Sequence, residues 1–168
     1  MKQFKSIAIA AIIFLGAAIS VNAQSKIAHV DTQELLEKMT SYKNAMTELA
    51  KIEETYKADI DNMLKEMEKT NERYQMEESS KTAEENQKRM VKLQEMQQNI
   101  MEYNRNAQEQ LQKKQESMLR PILEKARETI QKVAREKGYD YVLDSQIGTG
   151  VLMADGYNLL DDVLASLK

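Results

Sequence analysis

The sequence predicts an α+β chain, mostly α, in which a long antiparallel helical hairpin projects from a small β-rich base. Three observations lead there. No glycine occurs between Gln24 and Lys137, and the only proline of the 168 residues is Pro121. Apolar residues in that stretch recur at heptad spacing. The strand-like segments all lie at its two ends, before residue 32 and after residue 138.

The N-terminal 23 residues are expected to be an address rather than structure. Lys2 and Lys5 form a positive start, Ile7 to Leu15 an apolar run, and Val21-Asn22-Ala23 a small-residue cleavage site before Gln24. The apolar stretch is shorter than the roughly 20 residues a membrane span needs. A signal peptide cleaved after Ala23 is the expectation, and with it export. No cysteine follows, so no lipid anchor is expected there. Its removal takes away two lysines and no acid, moving the net charge from −3 to −5.

Residues 26–31 (KIAHVD) lean toward strand. Asp31 is placed to cap the next helix, with Glu34 at the third helical position of a capping box. From Tyr42 onward, alternating steps of 4 and 3 reach Met46, Leu49, Glu53, Tyr56, Ile60, Met63, Met67, Thr70 and Tyr74, nearly all apolar. A stripe repeating every 3.5 residues is a coiled-coil seam. It fades at residues 77–85 (EESSKTAEE), where Thr82 and Glu85 form a second capping box, so a hairpin turn is expected near 77–82. The stripe resumes at Met90, Leu93, Met96, Ile100, Tyr103, Ala107 and Leu111, then Met118, Ile122, Ala126, Ile130 and Val133. Asn104 and Lys114 interrupt it, which predicts a stutter near 104–114. Pro121 removes one backbone donor and predicts a kink, hence an arm hinge. Gly138 should end the second helix. Helices of this length reach roughly 70–80 Å, too long for a compact domain of this size.

Residues 139–144 (YDYVLD) and 151–154 (VLMA), joined by a glycine-containing loop, predict a β-hairpin. Asn158 should then cap a short helix through Leu167. The organisation is therefore a signal peptide (1–23), a base built from 24–34 and 138–168, and a hairpin arm (35–137).

Composition narrows the chemistry. Without cysteine there is no disulfide, thiolate metal site or thiol nucleophile, and one histidine, His29, excludes multi-histidine metal sites. No nucleophile–base pair, phosphate loop or paired-carboxylate motif is visible, so no enzyme, cofactor or metal is expected. The acidic balance argues against nucleic acid. His29 is expected to be a satisfied strand histidine, and Lys88-Arg89 and Lys113-Lys114 to lie on solvated helix faces.

The base cannot be self-sufficient. Its strands carry apolar residues on both faces, at Ile27, Ala28 and Val30, at Tyr141, Val142 and Leu143, and throughout 151–154. Strands apolar on both faces need cover on both sides, and one short helix supplies one. Other copies of the chain are the simplest source of the rest. The expected interface comprises Ile27, Val30, Tyr141, Val142, Leu143, Val151, Leu152 and Met153.

The succession of signal peptide, KIAHVD, glycine-free hairpin, YDYVLD, apolar strand and the terminal NLLDDVLASLK resembles the Skp/OmpH family of periplasmic outer-membrane-protein chaperones. The resemblance implies a homotrimer whose strands form a small β-barrel body with three coiled-coil arms. It also implies an ATP-independent holdase that keeps unfolded outer-membrane β-barrel proteins from aggregating between the arms. The acidic mature chain departs from the basic arms of well-known members, so no lipopolysaccharide site is carried over. The rival reading is a structural coiled-coil scaffold of the envelope without client binding. Client-facing residues are not assignable from the sequence.

Overall fold

The computed structural model describes residues 25–167, so the signal peptide and its cleavage site lie outside the described residues. Strand β1 (Ile27–Val30) leads into helix α1 (Thr32–Lys38), and α2 (Thr40–Glu77) runs outward. A 3₁₀ turn (Glu78–Ser80) reverses the chain, and α3 (Ala83–Glu136) returns. Strands β2 (Tyr141–Asp144) and β3 (Tyr157–Asn158) and helix α4 (Leu160–Ser166) complete the base. At 1.5 Å per residue, the 38 residues of α2 and 54 of α3 give rods of about 57 and 81 Å.

The caps predicted at Thr82 and Gly138 form, whereas α4 has Leu159 as its N-cap without a side-chain bond and Asn158 lies in β3. Thr82 Oγ1 accepts from the Glu85 amide at 3.2 Å, and the Glu85 carboxylate accepts from the Thr82 amide at 2.9 Å. Asp31 Oδ1 accepts from the Glu34 amide at 2.9 Å, but Glu34 pairs forward with Lys38, so that box is half made. Gly138, at φ +76°, closes α3. The Tyr139 amide reaches Ala134 O at 2.9 Å and the Gly138 amide reaches Arg135 O at 3.0 Å, a Schellman end that needs the left-handed residue.

The seam follows the prediction from Tyr56 to Tyr74 and from Leu93 to Leu111. Nearer the base it shifts by one residue. Ala45 and Ile52 turn inward while Met46 and Glu53 are exposed. At the other end Arg89 takes the seam position and Met90 is exposed. Residues 112–117 are all exposed before Met118 rejoins, so the interruption overlaps only the end of the 104–114 span expected to stutter. Helix α3 is continuous through an exposed Pro121.

Helix formation does not run unbroken from residue 32. Met39 adopts an extended conformation (φ −72°, ψ 124°) and separates α1 from α2. Met39 and Leu35 are both buried in the base core, and the break lets one chain lay α1 on the sheet and still send α2 outward.

The base differs from the sequence expectation in its pairing. The sheet has order β2-β1-β3, and both pairs are parallel. The hairpin between 139–144 and 150–154 does not form, and 151–154 is not a strand. Two causes are visible. The Thr149 hydroxyl lies 2.8 Å from Asp144 O and 2.7 Å from Gln146 O, and Gly148 and Gly150 have φ near +90° (96° and 92°), so the loop curls away from β2. Strand β1 is already flanked on both sides, by β2 and by β3. The sheet is open, with β2 and β3 as its edges.

One face of that sheet carries the core. Ala28 and Val30 of β1 pack with Leu35, Met39, Ala126, Val133, Leu159 and Val163. Burying side chains of this kind contributes about 1.5–3 kcal/mol each for the larger ones. The base and the root of the arm therefore share one core.

Candidate functional surfaces

Three constructions surround this core: a bare sheet face, a polar clamp, and the arm itself. The sheet's other face presents Ile27, Tyr141 and Leu143, all exposed, with Ile27 registered opposite Tyr141 and His29 opposite Leu143. Leu152 is 100% and Met153 78% exposed on the loop beyond β2, with Val151 half-buried beside them. Val30 is 1% exposed and Val142 packs against the core from the inner face. Of the eight predicted interface residues, the structure thus groups Ile27, Tyr141, Leu143, Leu152 and Met153 at the surface and spends Val30 and Val142 inside the subunit.

His29 is satisfied within the chain. Its Nε2 donates to Gly156 O at 3.1 Å, which leaves Nδ1 to accept from Ser145 Oγ at 3.0 Å in the neutral ring. The ring ties both ends of the 145–156 loop to β1.

Asp144 clamps the entry of α1 to the exit of β2. Its Oδ2 accepts from Thr32 Oγ1 at 2.6 Å, and Oδ1 accepts from the amides of Thr32 at 3.2 Å and Gln146 at 3.0 Å. Burial opposes the charged form, but these hydrogen bonds outweigh it and hold the carboxyl below its ordinary range. Because the folded group titrates below the unfolded one, its stabilisation is complete above about pH 4 and drains as pH falls through the folded value. Asp144→Ala orphans the Thr32 amide and is expected to cost about 1–3 kcal/mol at neutral pH. The gap between the urea midpoints of the two proteins should narrow as pH falls from neutral to below about 4; an unchanged gap there would refute the charge as its source.

A second clamp fastens α4 to the end of α3. Lys137 Nζ lies 2.9 Å from Asp162 Oδ1 and 3.1 Å from the Tyr157 hydroxyl, which donates to Asp162 Oδ2 at 2.8 Å. Asp162 holds the Lys137 ammonium well above its ordinary range and is itself held low by Lys137. Tyr139 stacks on Tyr157 with centroids 5.5 Å apart.

Along the arm, Tyr103 donates to Asp59 at 2.6 Å and meets Tyr56 edge-on at 6.3 Å, crossing the seam by a polar and an aromatic contact together. Asp59 holds the Tyr103 phenol above its ordinary range. At the tip, Arg89 pairs with Glu77 and lies 4.7 Å over the Tyr74 ring. This arginine, read from sequence as part of a solvated face, locks the two helices near the turn. Most other ion pairs are exposed i,i+4 pairs, screened by solvent and of little weight for stability.

The arm also exposes apolar side chains that the seam does not use. Leu64, Met76, Met90, Val91 and Met101 are among them, Met76 at 83%. Sequence reading missed these as a set. Met90 and Met46 were counted as seam, and the others were not singled out. For Leu64 and Met101 the available signal was that each falls one residue off the stripe, after Met63 and Ile100. Pro121 sits just before Ile122 and Ala126, where the arm enters the core. Among the described residues, no helix is long and apolar enough to cross a membrane, and no group of three acids or histidines could hold a metal.

A paired-helix arm rooted in a small parallel sheet that leaves one apolar face bare is the architecture these residues build. The chain belongs to the OmpH-like family: the family model described as outer membrane protein (OmpH-like) matches residues 26–167. A crystal structure from Caulobacter crescentus CB15, of a protein named for its likeness to OmpH outer membrane chaperones, superposes with a TM-score of 0.77 at 14% identity. The match covers 86% of this chain and 85% of that one, and at that identity it speaks for the fold. Comparison with curated proteins gives no match.

Proposed function

We propose that the protein is an ATP-independent periplasmic holdase that binds unfolded outer-membrane β-barrel proteins and keeps them from aggregating, working as a homotrimer after loss of its signal peptide. The observation that carries this reading is the set of exposed apolar residues off the seam. Side chains such as Met76, Met90 and Met101 stabilise neither the hairpin nor the base core, yet they line an arm tens of ångströms long. A spacer gains nothing from them. A surface for varied unfolded chains does, since methionine is flexible and polarizable and fits many partners weakly.

The bare sheet face and the 151–154 segment are the proposed trimer contacts, centred on Ile27, Tyr141, Leu143, Val151, Leu152 and Met153, with three sheets closing into a barrel. Pro121 is the proposed arm hinge. It leaves the Ser117 carbonyl without its helical donor close to the root of the arm.

Light scattering of a urea-unfolded outer-membrane β-barrel protein, diluted with and without this protein and without nucleotide, tests the reading. Suppression at about one trimer per client is expected. No effect would return the protein to the envelope-scaffold reading. The same assay with Pro121→Ala, over clients of increasing size, should show a narrowed size range if the hinge operates.

A further inference from the structure

The distal half of the arm has two unlike flanks. At 3.6 residues per turn, Leu64, Glu68 and Asn71 fall on one side of the α2 seam, and Glu66 and Arg73 on the other. On the first side a trough of about 650 Å³ runs between the helices, floored by Leu64, Met67, Met90 and Leu93. Its edges carry the carboxamides of Asn71, Gln94 and Gln97. A smaller hollow of about 160 Å³ shares Asn71, Met90 and Leu93 with it and continues to Glu78 and Asn86 at the turn. On the second side the hollow, about 320 Å³, is bounded by Glu66, Arg73 and Lys92.

We propose that the apolar trough is where an extended client segment lies, with side chains alternating between apolar and polar and with unpaired backbone. This rests on the holdase reading and adds to it a defined surface. Three features fit that occupant. From Leu64 to Glu78 the trough spans about 21 Å of helix, the length of about six residues in extended form at 3.3 Å each. An extended segment turns every second side chain to the same face, so its apolar set meets the Leu64, Met67, Met90 and Leu93 floor while the polar set faces water. A carboxamide both donates and accepts, so Asn71, Gln94 and Gln97 can meet free N–H and C=O groups of any sequence.

Charge points the same way. Glu68 and Glu78 are the carboxylates of the lining, and its one cation, Arg89, pairs through Nη2 with Glu77 and lies over the Tyr74 ring, its Nη1 buried without a partner. Nothing here attracts an anionic lipid surface or a nucleic acid, whose capture needs free lysines and arginines. The occupant is neutral in its contacts, and binding should vary little with salt.

The test uses the full exported chain with a photo-crosslinking residue placed either at Gln97, in the trough, or at Lys92, on the charged side. The probe is a urea-unfolded outer-membrane β-barrel protein. Crosslinks at Gln97 well above those at Lys92 are expected. The double variant Leu64→Gln, Met90→Gln changes only exposed or trough side chains, so its helix melting should stay that of the parent. Its client dissociation constant should rise about tenfold, a loss of about 1.4 kcal/mol. Crosslinks mainly at Lys92, with aggregation still suppressed, would overturn the trough and leave the holdase reading standing. Crosslinks from Gln97 to a second copy of the chain would also overturn it, assigning the trough to assembly. No crosslink at either position and no suppression would remove both.

Discussion

Leu35→Ala is expected to lower the stability of the base by about 3–5 kcal/mol, the range for removing a fully buried leucine where the surroundings cannot collapse. Leu35 has no exposed surface and shares its cluster with Val30 above and Leu159 and Val163 alongside. Collapse is hindered because α1 is held from both ends, by the Asp31 cap and Asp144 clamp before it and by the Met39 break after it. Far-ultraviolet dichroism would be dominated by the arm, so the probe should be the Tyr139–Tyr157 stack in the near ultraviolet, at fixed protein concentration. Met76→Ala, at an exposed arm site, should shift the same curve by less than about 0.5 kcal/mol. A Leu35→Ala loss as small as that would mean the base is held together elsewhere.

What could be read from the sequence was what depends on neighbours along the chain. The Thr82–Glu85 box, the Gly138 terminus and the seam from Tyr56 to Tyr74 are local patterns, and each formed as spaced. The break at Met39 has no glycine or proline to announce it. It follows from burying Leu35 and Met39 against a sheet whose other strands come more than 100 residues later. The choice of Ala45 over Met46 was equally hidden, since both fit a stripe within one residue, and the smaller side chain lies where the arm begins. Arg89 displaced Met90 because a guanidinium can stack on Tyr74 and pair with Glu77 at once, a tertiary gain that periodicity does not weigh. The exposed apolar flank of the arm was legible only in part, at Leu64 and Met101 beside the stripe, since it is defined by what the seam leaves over.

Strand pairing was the least legible feature. Residues 151–154 have strand composition, and the error lay in assuming that β2, the preceding strand, would be their partner. Within one subunit, β1 is flanked on both sides and Thr149 turns the loop outward, so an apolar segment is left in water. Leu152 alone there would be unremarkable, since single exposed apolar residues are common. Together with Met153, Ile147 and the bare face of Ile27, Tyr141 and Leu143 it is one of several large apolar side chains of the base left exposed.

That exposure yields the sharpest result for assembly. Leu143→Glu with Leu152→Glu places two carboxylates on side chains that are exposed in the single subunit, so the fold of each chain should survive with its helicity intact. In the proposed trimer both positions are buried in every subunit, and an unpaired charge there is costly to desolvate. Sedimentation at micromolar concentration should move from trimer to monomer, with the dissociation constant raised on the order of 100-fold or more. A variant that still sediments as the parent trimer would show that the contacts lie on another face. A parent that sediments as a monomer would refute the trimer itself, and with it the reason for leaving so apolar a sheet face uncovered.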